Sequence, residues 1–169
     1  GTTTITVTVE DGGLDGNLET SNDNATFSRT FTVTVDPVND GPTFAALNNV
    51  TIDENSSTTT VNLSGIDAGG GESQPLKVTA SSSNTQLVPD PLVTYSTPAA
   101  TGTLKITPVA DKHGTATITL TLEDGGIDGN LATAGDNGSF SRTFNVTVNP
   151  VNATPTLDAI SNVTINEDA

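Results

Sequence analysis

From Thr4 to Val9 the chain alternates polar and apolar residues without a break, and Thr117 to Leu122 repeats the alternation with Ile118, Leu120 and Leu122. Phe27, Arg29, Phe31, Val33 and Val35 also fall at period two, as do Phe140, Arg142, Phe144, Val146 and Val148. Such spacing puts every second side chain on one face of a pleated strand. Shorter candidates are Val50–Ile52, Thr58–Leu63, Leu76–Ser81, Leu92–Tyr95 and Gly102–Thr107, separated by Gly, Pro, Asn and Asp. No segment holds a helical period over three turns. The pattern predicts an all-β chain. Seven short strands in a unit of about 113 residues suggest a seven-stranded Greek-key β-sandwich of cadherin or immunoglobulin type.

The unit length comes from an internal repeat. Gly1-Thr2-Thr3-Thr4-Ile5 returns as Gly114-Thr115-Ala116-Thr117-Ile118, and the match runs without a gap to Ser56 and Ala169. At this offset of 113, 36 of the 56 pairs are identical, including EDGGxDGNL from Glu10 and Glu123 and FSRTF from Phe27 and Phe140. A fixed period without insertions is the mark of a tandem array. The expected organisation is residues 1–42 as the last two strands of one repeat, 43–154 as a complete repeat, and 155–169 as the first strand of the next. The function of such an array lies in its length, stiffness and surface.

Composition narrows the chemistry. With 33% hydrophobic and 4% aromatic residues the core is thin and aliphatic, and abundant Thr, Val and Ile favour strands. Five Lys and Arg against 20 Asp and Glu give a net charge of −15. No basic stripe exists to displace counterions from nucleic acid, so that partner is excluded. An anionic membrane surface would repel the chain, and no apolar run approaches spanning length, so no membrane insertion is expected in this segment. There is no Cys, hence no disulfide, thiolate metal site or cysteine nucleophile. No Ser/His/Asp constellation, phosphate loop or nucleotide fingerprint appears, and the chain reads as non-catalytic.

Alternating strand direction sorts the acids. A ten-residue strand spans about 33 Å, so loops at opposite ends cannot share a ligand. At the end where the complete unit begins lie Asn39 and Asp40, then Asp67 and Glu72 between the second and third strands. The last hairpin loop brings Glu123, Asp124, Asp128 and Asp136 to the same end. At the other end lie Asp53, Glu54, Asp111 and Asn152. Stacked units would gather these carboxylates at their joints, where a hard cation with several oxygen ligands offsets the repulsion.

Several segments resemble the cadherin-like repeats carried in tandem by large bacterial surface adhesins. Pro37-Val38-Asn39-Asp40-Gly41-Pro42-Thr43 is similar to their VNDxP linker, and Thr51-Ile52-Asp53-Glu54-Asn55 to the acidic end of their first strand. The run from Thr117 to Asp124 resembles the sixth strand and its following acid, and Leu104 to Gly114 the connection leading into it. The resemblance implies calcium between successive domains. Its ligands at the first joint would be Asn39, Asp40, Asp67 and Asp124 with Glu72, and at the lower side Glu54, Asp111 and Asn152. Ala153 stands where the first linker has Asp40, so the second joint is expected to bind more weakly or not at all.

Other motifs have plainer readings. Asp11-Gly12-Gly13-Leu14-Asp15-Gly16-Asn17 approaches a calcium loop, but Gly13 occupies its third position and no bidentate Glu follows, so a turn-stabilised hairpin loop is the alternative. Arg29 and Arg142 are expected to pair with acids of that loop. His113, the lone histidine, reads as an exposed turn residue.

Together these features predict an extracellular, cell-surface structural or adhesion repeat, a spacer in a long adhesin or fibre whose joints calcium stiffens. Its partners would be neighbouring repeats of the same chain or fibre and an unknown surface receptor or glycan. Two alternatives are a fibre subunit assembling by strand complementation, and a glycan- or protein-binding module appended to a secreted enzyme. The second needs an aromatic-lined surface that one Tyr and no Trp disfavour.

Overall fold

The computed structural model describes residues 1–20 and 22–168. It is all-β, with no helix among the described residues, and falls into two compact units, Gly1–Asn39 and Asp40–Ala169.

The first unit is a two-stranded antiparallel hairpin of β1 (Thr2–Glu10) and β2 (Thr26–Thr34), with Ile5 opposite Phe31 and Val7 opposite Arg29. The second unit holds β3 (Val50–Asp53), β4 (Thr59–Leu63), β5 (Leu76–Ser82), β6 (Leu92–Thr94), β7 (Gly102–Ile106), β8 (Gly114–Asp124) and β9 (Ser139–Asn149). They form one sheet in the order β3-β9-β8-β5 and another in the order β4-β7-β6. Each strand predicted between residues 50 and 149 falls on an observed strand, with limits agreeing to about one residue. Residues 150–166 carry no strand. A lone strand has no ladder to satisfy its backbone groups.

Burial follows the alternation. Along β8, Ala116, Ile118, Leu120, Leu122 and Asp124 are buried while Thr117, Thr119 and Thr121 are less so. The core joins these to Phe144, Val146 and Val148 of β9 and to Leu63, Leu104 and Ile106 of the opposite sheet. A core drawn from the facing sides of two sheets is the arrangement of a β-sandwich.

The segment beginning at Thr43 changes sheets. Thr43 forms a bridge with Asp67 and Ala45 donates to the carbonyl of Ser64, beside the exit of β4. The chain then crosses to the other sheet, where β3 pairs in parallel with β9. Phe44 and Ile52 are buried on the way, and the Phe44 ring meets Phe140 edge-on at 5.3 Å.

The repeat extends to backbone detail. Each pair in the β1–β2 register, shifted by 113, is a pair in the β8–β9 register, as Ile5·Phe31 becomes Ile118·Phe144. The environments differ. Val9 is 66% exposed and its counterpart Leu122 1%, while Phe31 is 55% exposed and Phe144 3%. The second hairpin is covered by the β4-β7-β6 sheet, which accounts for its burial. Leu120→Ala should therefore cost about 2–5 kcal/mol by opening a cavity. Val7→Ala, at the equivalent exposed site, should cost under about 1 kcal/mol. Urea unfolding of the two variants checks the contrast, and equal losses would contradict the burial difference.

Candidate functional site

The predicted acids of the second unit fall at its two ends. Asp124 closes β8 opposite Leu76, the first residue of β5, whereas Gly114 and Asp53 lie at the other end of the same sheet, beside Val148 and Asn149. With about 3.3 Å per residue, the eleven residues of β8 hold these groups roughly 33 Å apart.

At the first end, Asp67 is pinned by reciprocal backbone hydrogen bonds with Thr43, of 2.9 and 3.0 Å. Its Oδ1 accepts from the N–H of Gly69 at 2.8 Å. This short-range turn is what Asp favours ahead of glycine. The next three residues, Gly69, Gly70 and Gly71, all have positive φ, of 96°, 53° and 79°. A Cβ at Gly69 would stand 2.4 Å from the carbonyl oxygen of Gly41, and one at Gly70 2.0 Å from Oδ2 of Asp40. Glycine is thus required twice over, for conformation and for space. The turn closes with the Glu72 N–H donating to Gly69 at 2.8 Å, and Glu72 Oε2 accepts from the Asp40 backbone N–H at 3.3 Å and from the Gln74 amide. Asp40, Asp67 and Glu72 are therefore brought to one corner by the triglycine turn. Sequence reasoning identified these acids but missed the turn, whose signal was the run Gly69-Gly70-Gly71 itself.

Asp124 is fully buried at the same end. Its Oδ1 accepts from the N–H groups of Gly126 and Gly138, at 2.9 and 2.7 Å, tying both ends of the hairpin loop together. Asp136 Oδ2 accepts from Ile127 at 2.9 Å, and Asp128 from Asn130 at 2.8 Å. The first repeat copies the scheme: Asp11 binds Gly13 and Ala25, Asp23 binds Leu14, and Asp15 binds Asn17. The loop acids therefore hold backbone amides, as the turn-stabilised reading expected. Asn39 is the last residue of the first unit.

At the other end, Glu54 Oε1 accepts from the Val151 N–H at 2.8 Å, and Oε2 lies 3.6 Å from Nδ1 of His113. His113 is mostly exposed, as expected, but has this carboxylate for a neighbour. Asn55 and Asp111 both have positive φ and clasp each other: Asn55 Nδ2 donates to Asp111 Oδ1 at 3.1 Å, and the Asp111 N–H returns to Asn55 Oδ1 at 3.0 Å. Asn152 follows Val151 and is exposed.

The arginines depart from expectation. The Arg142 guanidinium lies 5.0 Å from the ring centroid of Phe140, and Arg29 stands equally over Phe27. Among the described residues the ion pairs are Lys77–Glu123 and His113–Glu54, so neither arginine joins a loop acid. The ring two residues earlier lies on the same strand face, and a guanidinium stacks well on it.

The corner of Asp40, Asp67 and Glu72 offers oxygen donors only, the donor chemistry of a hard cation. Among the described residues, no three acidic or histidine side chains converge as a ready-formed metal centre.

No protein-family model matches the chain, and no curated protein matches it. Among solved structures it is similar to domains 4 and 5 of the S-layer protein SbsC, at 18% identity and a TM-score of 0.38. The match covers 73% of this chain, which spans about half, 52%, of that one.

Gly70→Ala forces Asp40 aside and imposes a left-handed residue, so it should cost more than the roughly 1–2 kcal/mol of the conformation alone. Gly71→Ala, with open space around it, should cost only the conformational part. Equal destabilisation in calorimetry would show that the Gly70–Asp40 approach contributes nothing.

The first hairpin loop carries a pH signature. Backbone hydrogen bonds from Ala25 and Gly13 hold Asp11 below its ordinary 3.8, and bonds from the Thr20 hydroxyl and Asn17 amide do the same for Asp15. A depressed folded pKa contributes loop stability above 3.8 that is lost as pH falls through the lowered value. Amide resonances of Gly13, Asn17 and Ala25 should hold steady down to about pH 4 and shift below it. Movement centred above that pH would contradict the hydrogen bonds.

Proposed function

We propose that this chain is part of a non-catalytic, extracellular structural or adhesion array. In this reading 43–154 is a seven-stranded Greek-key, cadherin-like sandwich, the array is a spacer in a long surface adhesin or fibre, and calcium stiffens its joints. The observation that carries the reading is the gapless 113-residue repeat, whose two hairpins share both sequence and strand register. A unit copied at that fidelity serves by repetition, and an array's useful properties are reach and stiffness.

The calcium part is supported by the acids' placement and by the resemblance of the linker. Asp40, Asp67 and Glu72 would hold the ion, with Asp124 fixing the adjacent loop. Glu54, Asp111 and Asn152 form the weaker counterpart, where Ala153 replaces an acid. A bound cation would supply charge to a corner where neighbouring carboxylates repel, and so oppose opening of the Asp40 linker. The surface receptor or glycan remains the proposed outer partner.

The test is thermal unfolding of the 169-residue chain in calcium, in magnesium and in chelator. At about one hundred times the dissociation constant, each site adds roughly 2.7 kcal/mol. Asp67→Asn should remove most of the gain at the first end. A transition that calcium leaves unmoved would overturn the metal claim.

A further inference from the structure

The lower end of the second unit is closed by side chains that reach across the chain. β3 ends at Asp53, and the backbone turns through Glu54 and Asn55, with the Ser56 N–H donating to the Asp53 carbonyl at 3.2 Å. The Glu54 N–H donates to the Asn149 carbonyl at 2.9 Å, which fastens this turn to the end of β9. The Glu54 side chain is only 12% exposed and holds the segment that leaves β9. Its Oε1 accepts from the Val151 N–H at 2.8 Å, while Oε2 lies 3.6 Å from Nδ1 of His113. Beside it, Asp53 Oδ1 accepts from the Asn149 amide at 3.3 Å.

Asn55 completes the arrangement, and both ends of its carboxamide are used. Nδ2 donates to Asp111 Oδ1 at 3.1 Å, and Oδ1 accepts from the Asp111 N–H at 3.0 Å. A ring of this kind closes only on a side chain that carries a donor and an acceptor together. A carboxylate at 55 could still accept from the N–H, but it would set a second negative charge against Asp111. Two ionised carboxylates so placed need a cation between them, or one must take up a proton. The repeat itself contains the alternative, since the residue one period after Asn55 is Asp168.

We infer that Asn55 takes the place of a cation at the lower end of this unit, and that residue 55 decides whether the carboxylates there need one. The amide supplies the donor that Asp111 requires, and Glu54 fastens Val151 with no metal between them. This refines the proposed calcium reading, on which it rests for the contrast between the two ends. To bind among Glu54, Asp111 and Asn152, a cation would have to open the Asn55–Asp111 ring and draw Glu54 from Val151. Each of those bonds is favourable as it stands, and each broken one leaves a polar group to be satisfied again. An Asp at position 55 has no amide donor to lose and adds an oxygen ligand, the change that favours a hard cation.

The test is amide hydrogen exchange of the 169-residue chain in calcium and in chelator, read at Val151 and Asp111, whose N–H groups make the two contacts. Both amides should be protected in chelator, and calcium should change their rates by less than about twofold. Asn55→Asp should speed exchange at Asp111 at least about tenfold in chelator, and calcium should restore the protection. Asn55→Gly keeps the left-handed turn without a side chain, so Asp111 should exchange fast in both conditions. The buried Leu120 amide, slow throughout, reports that the core of each variant is intact. Three results overturn the inference: fast exchange of either parent amide in chelator, parent protection that rises with calcium, or an Asn55→Asp chain indifferent to calcium. The Asp40 N–H, which donates to Glu72, separates this from the reading it refines. If calcium leaves that amide unmoved while the lower end behaves as stated, the cation fails at the upper corner and the role of Asn55 stands.

Discussion

Cover for one face of the β8–β9 ladder is the constraint from which the rest of the second unit follows. The ladder brings Ile118, Leu120, Leu122, Phe144, Val146 and Val148 to a single side, and the β4-β7-β6 sheet removes all of them from water. Their counterparts one period earlier, with Val7 and Val9 in place of Leu120 and Leu122, pair in the same register and are exposed. The shared register follows the shared sequence pattern and turn residues of the two hairpins. Burial of each of these side chains contributes about 1.5–3 kcal/mol and belongs to the facing sheet.

The ladder also decides where polar groups can go. Its outer face is almost free of charge in mid-strand. Hydroxyls bond across it instead, Thr121 to Ser141 at 2.8 Å and Thr117 to Asn145 at 3.0 Å, and the first hairpin repeats this with Thr8 and Ser28 at 2.7 Å. Neighbouring strands run about 4.8 Å apart, too close for rows of carboxylates, whereas threonine gives strand propensity without charge. The acids are therefore displaced to turns and strand ends, where they can accept backbone N–H groups. That displacement is what makes the ends acidic.

Much of this was legible in the chain. Period-two alternation bounded by Gly, Asn, Asp and Pro located the strands, and alternating direction placed Asp40, Asp67, Glu72 and Asp124 at one end with Glu54 and Asp111 at the other. What escaped depended on contacts between distant residues. The segment from Thr43 to Asp53 begins beside Ser64 of one sheet and finishes beside Asn149 of the other, with Phe44 and Ile52 both buried, a crossing that no local pattern announces. The Gly69–Gly71 run signals a turn, but its close approach to Asp40 depends on the fold. The Asn55–Asp111 clasp joins residues 56 apart in sequence, both in a left-handed conformation that only the fold demands. Charge pairs Arg142 with the loop acids, whereas strand geometry sets it over the Phe140 ring.

Carboxylates at both ends accept hydrogen bonds from neutral protein donors, but Glu54 has the His113 imidazole beside it and Glu72 has no basic neighbour in an ion pair among the described residues, which bears on where a cation has most to offset. At the lower end Glu54 has the Val151 N–H and the His113 imidazole, and Asp111 has the Asn55 amide, so protein donors already face the charge. At the upper end Glu72 accepts from the backbone of Asp40, which places two acidic residues side by side with no lysine or arginine in an ion pair with either among the described residues. The triglycine turn permits that approach and contributes no positive group. Repulsion between unit charges a few ångströms apart near a surface is on the order of a few kcal/mol before screening by salt. The proposed calcium would therefore act chiefly at the end that carries Asp40, Asp67 and Glu72, and there it would hold the linker residue Asp40 against the turn.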